Sequence, residues 1–286
     1  MPVIPTLLRR GLRLAPWLGL AALTVMFGRT LFERDAAPRV AGPQSSGRCE
    51  VAAPGPSGRS DFTTRSGLAV RVITPADYAA DTRYGLLVLF PPAGFSRVAS
   101  ERFYGATALA TGAGFVVATS DALPLSKRAV AVQTEVAAEV LQRWCIDPLR
   151  LVFAGHSDGG ALAQGVVLRG GPEAIRPAAI LASGAGIRED DLAGEVCPGA
   201  LSVTILHSAA DERFPGYGAG VAAWWTRCMK CDEAPRPSGP GVCVEALRCA
   251  PDGRVRHCEG GEAHGQRPHA FVDELRTSLE RTRRSR

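Results

Sequence analysis

Only 6% of the 286 residues are aromatic, and no basic stretch has aromatics interleaved with it. A nucleic-acid groove pairs cations for phosphates with rings for bases, so that class of partner is excluded. The net charge of +5 does not argue otherwise, because much of it is terminal: Arg9, Arg10 and Arg13 at one end, Arg281, Arg283, Arg284 and Arg286 at the other. The chain also lacks a carbohydrate-binding repeat, a separate polymer-binding domain and an evident lid insertion. Cys228-Met229-Lys230-Cys231 has no second close pair to complete a zinc site, since Cys243 and Cys249 have five residues between them and His257-Cys258 is an adjacent pair.

What is present is enough apolar material, 46% of the residues, for one sizeable core, and one α/β domain would use nearly all of it. The first 35 residues read as a targeting segment: arginines, an apolar run from Leu14 to Phe27, then Arg29, Glu33, Arg34 and Asp35. Fourteen apolar residues suit the core of a signal peptide better than a membrane span. No small-x-small cleavage site follows, and a window extended to Phe32 approaches spanning length, so an uncleaved signal anchor tethering the domain to a membrane is the alternative. Both readings export the domain. Residues 36–60, rich in Pro, Gly, Ser and Arg, read as a flexible linker, and 61–286 as the folded domain. Eight cysteines, all beyond the targeting segment, are an even number in an exported chain, and imply disulfides. A metal or redox module at Cys228 and Cys231 is the competing reading.

The chemistry centres on Gly155-His156-Ser157-Asp158-Gly159, a match to G-x-S-x-G. Leu151-Val152-Phe153-Ala154 before it is an apolar strand, and Gly160 to Val167 behind it is small or helix-compatible, giving strand, sharp turn, helix. In that context Ser157 sits on a strained elbow, with glycines beside it because a Cβ would collide with strand or helix. The helix starting there aims its N–H groups and dipole at a forming anion. His156 holds a variable position of the motif and is read as an elbow or packing residue.

Around this elbow, strands are predicted at Leu68 to Thr74, Leu86 to Phe90, Gly114 to Thr119, Ala178 to Ala182 and Leu201 to Leu206, with helices near Ala99 to Thr111, Ser126 to Trp144 and Ala270 to Arg284. The wholly apolar runs and the alternation with helices call for a mostly parallel sheet covered on both faces. Chemistry then gathers at the carboxyl ends of the strands. Asp211, in the loop leaving Leu201 to Leu206, is the candidate acid, with Glu212 as fallback and His207 read as structural. The base should follow the acid in the chain. His264, after a glycine-rich turn, is favoured over His269, which opens the last helix; His257 falls inside a strand.

Several stretches together resemble the secreted α/β-hydrolases that include polyhydroxybutyrate depolymerases and feruloyl or acetylxylan esterases. Cys145-Ile146-Asp147-Pro148-Leu149-Arg150-Leu151 is similar to the segment that family places before its nucleophile. His207-Ser208-Ala209-Ala210-Asp211 with Pro215 resembles its acid loop, and Trp225, Cys228, the Val242 to Cys258 hairpin and Gly260 to His264 resemble its last third. The resemblance covers Leu68 to Phe271. It implies a disulfide-stapled α/β-hydrolase fold and an exported serine esterase with Ser157 as nucleophile, Asp211 as acid, His264 as base and no cofactor. Its substrates would be polyester-oligomer, feruloyl, acetyl or similar esters.

Two departures stand out. Where the family ends its first long strand in His-Gly, this chain has Pro91-Pro92, and proline has no N–H. That leaves the N–H of Ala93 or Gly94, together with that of Asp158, as oxyanion donors, and Ala93 and Asp158 are the expected pair. The family's tryptophan two residues after the histidine is replaced by Gln266. These departures motivate the alternative of a membrane-tethered, catalytically degenerate binding protein on the same fold.

Overall fold

The computed structural model describes residues 49, 51, 54–170, 175–232, 237–250 and 253–284. The targeting segment expected at 1–35 lies outside them. Among the described residues, no helix is long and apolar enough to cross a membrane.

The described strands form one sheet. They are β1 (Arg59–Thr63), β2 (Ala69–Ile73), β3 (Tyr84–Phe90), β4 (Phe115–Ser120), β5 (Ile146–His156), β6 (Ala179–Ser183), β7 (Ser202–Ser208), β8 (Cys243–Glu245) and β9 (Arg254–Gly260), in the order β1-β2-β4-β3-β5-β6-β7-β9-β8. From β4 across to β9 every pairing is parallel, and the antiparallel pairings lie at the two edges. β3, β4 and β6 are buried along their whole length, which is why their sequences are apolar except for Thr119, Ser120 and Ser183 at the strand ends. β1, Arg-Ser-Asp-Phe-Thr, is an exposed edge strand whose charges oppose further pairing.

The helices are α1 (Arg97–Tyr104), α2 (Thr107–Gly112), α3 (Lys127–Arg143), α4 (Asp158–Arg169), α5 (Tyr217–Cys228) and α6 (Phe271–Arg284). One helix was expected from Ala99 to Thr111, but there are two. Gly105 takes a left-handed conformation at φ 58° and ends α1, its N–H donating to the Glu101 carbonyl. Ser126, expected inside the next helix, is its cap, accepting the Ala129 N–H at 3.1 Å.

Alternate residues of the strands feed two cores. Leu86, Val88 and Phe90 of β3 pack with Val136 and Val140 of α3, Leu162 of α4 and Trp225 of α5. Leu87 and Leu89 face the other way, onto Tyr104 of α1 and Phe271, Leu275 and Leu279 of α6. Each such large side chain, fully buried, contributes about 1.5 to 3 kcal/mol. The Trp225 indole, deep in the first core, donates to Gln164 Oε1 at 2.8 Å and so leaves no N–H unpaired.

All eight cysteines are oxidised, as Cys49–Cys145, Cys197–Cys228, Cys231–Cys249 and Cys243–Cys258. Cys228 and Cys231 take different partners, so the C-x-x-C is neither a redox pair nor a pair of thiolates for a metal. Peptide mapping without reductant is expected to recover these four linkages. A peptide bridged between Cys228 and Cys231 would contradict the arrangement.

Candidate active site

β5 ends at His156 and α4 begins at Asp158, so Ser157 alone makes the turn between them. Its backbone is at φ 56°, ψ −123°, a region non-glycine residues rarely occupy and that costs on the order of 1 to 3 kcal/mol. The neighbouring glycines are required by contact. A Cβ on Gly155 would lie 2.1 Å from the Gly159 carbonyl oxygen, and one on Gly159 would lie 2.3 Å from the Phe90 carbonyl oxygen. The Ser157 N–H donates to the Ser183 carbonyl at 2.9 Å, tying the elbow to the end of β6.

His264 lies in the loop between β9 and α6. Its Nε2 is 2.9 Å from Ser157 Oγ, and its Nδ1 is 2.8 Å from Asp211 Oδ2. Asp211 is 3% exposed, and its other oxygen accepts the N–H groups of Arg213 at 3.0 Å and Phe214 at 2.9 Å. Burial pushes the Asp211 carboxyl up, but the hydrogen bonds from His264 and the Phe214 N–H, with the charges of His264 and His207, bring it below its ordinary value of 3.8. The carboxylate is thus ionised at neutral pH and accepts from Nδ1–H, which leaves the Nε2 lone pair facing the serine hydroxyl. The Phe214 ring meets the imidazole edge-on at 4.9 Å.

The other histidines fall into place around this chain of three. His207 donates from Nε2 to the Phe214 carbonyl at 2.7 Å, closing the acid loop, and burial pushes its pKa down. His269 is bonded to Glu262, at 2.7 Å through its ring and 2.9 Å through its N–H, and its ring is out in solvent. It does not reach Ser157. His257 is within β9, and Glu212 is exposed beside the buried Asp211.

The two expected oxyanion donors follow the carboxyl ends of two adjacent central strands. Phe90 of β3 is in register with Gly155 of β5, and Ala93 and Asp158 each lie three residues beyond that pair. Asp158 opens α4, where a backbone N–H has no acceptor within the helix. Ala93 is exposed in a turn closed by the Phe95 N–H on the Pro92 carbonyl at 3.1 Å, with Gly94 at φ 73°. Pro91 and Pro92 are buried.

Sequence reasoning passed over one group that joins these two strand ends. The Tyr104 hydroxyl, fully buried, donates to the Phe90 carbonyl at 2.6 Å and accepts the His156 N–H at 2.8 Å. A tyrosine ending the helix after β3 was the only available signal, and nothing local marks its partners.

A parallel sheet with antiparallel edges, helices on both faces, and a serine strained into a strand-to-helix elbow define the α/β-hydrolase fold. No family model and no curated protein matches the sequence. Among solved structures the chain is similar to an acetyl xylan esterase from Aspergillus awamori, with TM-score 0.58 and 11% identity over 78% of this chain and 100% of that one. It is also similar to a thermostable esterase (TM-score 0.54, 16% identity, 78% of this chain), of which it spans 61%. Esterase 2 of Thermogutta terrifontis, phosphoramylated by tabun, aligns with TM-score 0.52 and 18% identity over 79% of this chain and 93% of that one. At these identities the likeness is one of fold.

Two expectations follow. Tyr104→Phe leaves the Phe90 carbonyl and the His156 N–H without their partner in a dry interior, at about 1 to 3 kcal/mol for each group. Urea unfolding should show a loss of about 2 to 6 kcal/mol; a loss below about 0.5 kcal/mol would contradict the bridge. The second concerns pH. Burial holds both His156 and His207 below the ordinary value of 6.5, so the unfolded chain binds protons there that the folded one refuses. Stability is present above that pH and is lost as pH falls through it, and Asp211, also depressed, adds a loss in the same direction at lower pH. Unfolding free energy should therefore drop between about pH 7 and pH 5, and drop less in His207→Gln. An equal drop in that variant would contradict the assignment.

Proposed function

We propose that this protein is an exported serine carboxylic-ester hydrolase working through an acyl-enzyme. The observation that carries the reading is the unbroken hydrogen-bonded chain from Ser157 Oγ through the His264 imidazole to the buried Asp211, 2.9 and 2.8 Å, hung on a serine held at positive φ. His264 Nε2 takes the hydroxyl proton as Ser157 Oγ attacks the ester carbonyl, and Asp211 holds the tautomer and stabilises the imidazolium. The N–H groups of Ala93 and Asp158 receive the developing oxyanion, each worth about 3 to 4 kcal/mol in the transition state. The alcohol leaves with the proton from His264, and water activated by the same imidazole then releases the acid and restores Ser157.

Acetyl, feruloyl, polyester-oligomer and similar esters are the proposed substrates, and the fold shared with esterases supports an ester-hydrolase reading. Four disulfides fit an oxidising, extracytoplasmic location. The Pro91-Pro92 segment after β3, short of a donor, and Gln266 in the histidine loop favour the second reading of a degenerate, binding-only hydrolase fold.

Steady-state hydrolysis of p-nitrophenyl acetate decides between them. Ser157→Ala and His264→Ala are expected to lower kcat by about four to six orders of magnitude with the fold intact, and His269→Ala to leave it within about twofold. Turnover surviving in His264→Ala and lost in His269→Ala would reassign the base, and a wild type without turnover on any ester tried would leave the binding-only reading.

A further inference from the structure

The variable position of the elbow carries a histidine whose ring is committed on both sides. His156 Nε2 lies 2.8 Å from the backbone carbonyl oxygen of His264, and its Nδ1 lies 3.0 Å from Ser183 Oγ. A carbonyl can only accept, so Nε2 bears the hydrogen, Nδ1 is a lone pair, and the Ser183 hydroxyl donates to it. Ser183 is fully buried at the end of β6, in register with His156.

The ring has no room to turn away. It is 4% exposed and lies 5.4 Å, centroid to centroid, from the rings of both Phe103 and His264. Gly184, at φ 50°, leaves space for it: a Cβ there would stand 2.9 Å from His156 Cε1. The His156 N–H is already held by Tyr104. The partner loop, by contrast, is irregular. Between the end of β9 and the start of α6, apart from the bonds of the His264 ring to Ser157 and Asp211, it is tied to other elements by the bond from His156 Nε2 and by Arg267 Nε donating to the Phe103 carbonyl at 3.2 Å.

We propose that His156 is a positioning residue for the base: by donating from Nε2 to the His264 carbonyl, in the tautomer that Ser183 selects, it sets the imidazole of His264 between Ser157 Oγ and Asp211. The hydrogen bonds of its ring go to Ser183 and to the His264 backbone, and it acts only through His264. The same residue thus anchors the nucleophile's elbow through its backbone and the base's loop through its side chain, so the two move as one body. The inference rests on the esterase reading given above.

Two measurements test it. Nitrogen-15 NMR of the imidazoles in the resting full-length protein should find His156 in the Nε2–H tautomer at neutral pH; an Nδ1–H tautomer or an imidazolium would overturn the proposal. This arm does not depend on turnover, so an inactive wild type would count against the esterase reading alone. In the kinetic arm, His156→Leu is expected to lower kcat on p-nitrophenyl acetate about 10- to 100-fold with KM within about threefold, since a shift of the base of order an ångström has that effect. His156→Gln, whose side-chain amide can still donate to the carbonyl, should recover to within about fivefold of wild type. Wild-type kcat in a folded His156→Leu, or equal loss in the Leu and Gln variants at matched thermal stability, would show that the ring merely fills space.

Discussion

A serine at φ 56° does not stay there by its own preference, and the structure around the elbow exists to hold it. Three things fix it. Glycines at 155 and 159 let strand, turn and helix approach to distances no Cβ would permit. The Ser157 N–H is taken by the Ser183 carbonyl at the end of the adjacent strand, and the Ala161 N–H returns to the Ser157 carbonyl to start α4. The Tyr104 hydroxyl then pins the residue before the serine to the end of β3.

The parallel register explains why the functional groups meet although they are far apart in the chain. β3, β5, β6, β7 and β9 run parallel and share one carboxyl end of the sheet, so the loops leaving them deliver Ala93, Ser157, Gly184, Asp211 and His264 to one place. Each loop then needs its own tie, because irregular backbone has no ladder to hold it. His207 closes the loop after β7 on the Phe214 carbonyl, Asp211 gathers two N–H groups of that same loop, and His156 reaches the His264 carbonyl. The buried histidines, kept neutral by burial, serve here as rigid donors between backbone segments.

Much of this was legible in the residues. The elbow announces itself because its strain demands glycines at fixed places, and β3, β4 and β6 because a strand covered on both faces must be apolar throughout. Asp211 and His264 could be placed by chain order and by the loops they occupy. What was not legible depends on contacts distant in sequence or on conformation at one residue. The break at Gly105 turned one expected helix into two, and β1, with a single large apolar residue, carries no strand pattern of its own. The cysteine partners, the Tyr104 bridge and the bond from His156 to a residue 108 positions away have no local signature.

The central claim is that Ser157 is an activated nucleophile. Reaction of the purified, disulfide-bonded protein with a fluorophosphonate probe, with the adduct mapped by mass spectrometry, tests it most directly. An adduct on Ser157 Oγ that is absent from Ser157→Ala is the expected result. A folded, fully oxidised protein that takes up no probe at Ser157 would contradict the account and leave a hydrolase fold that binds without reacting.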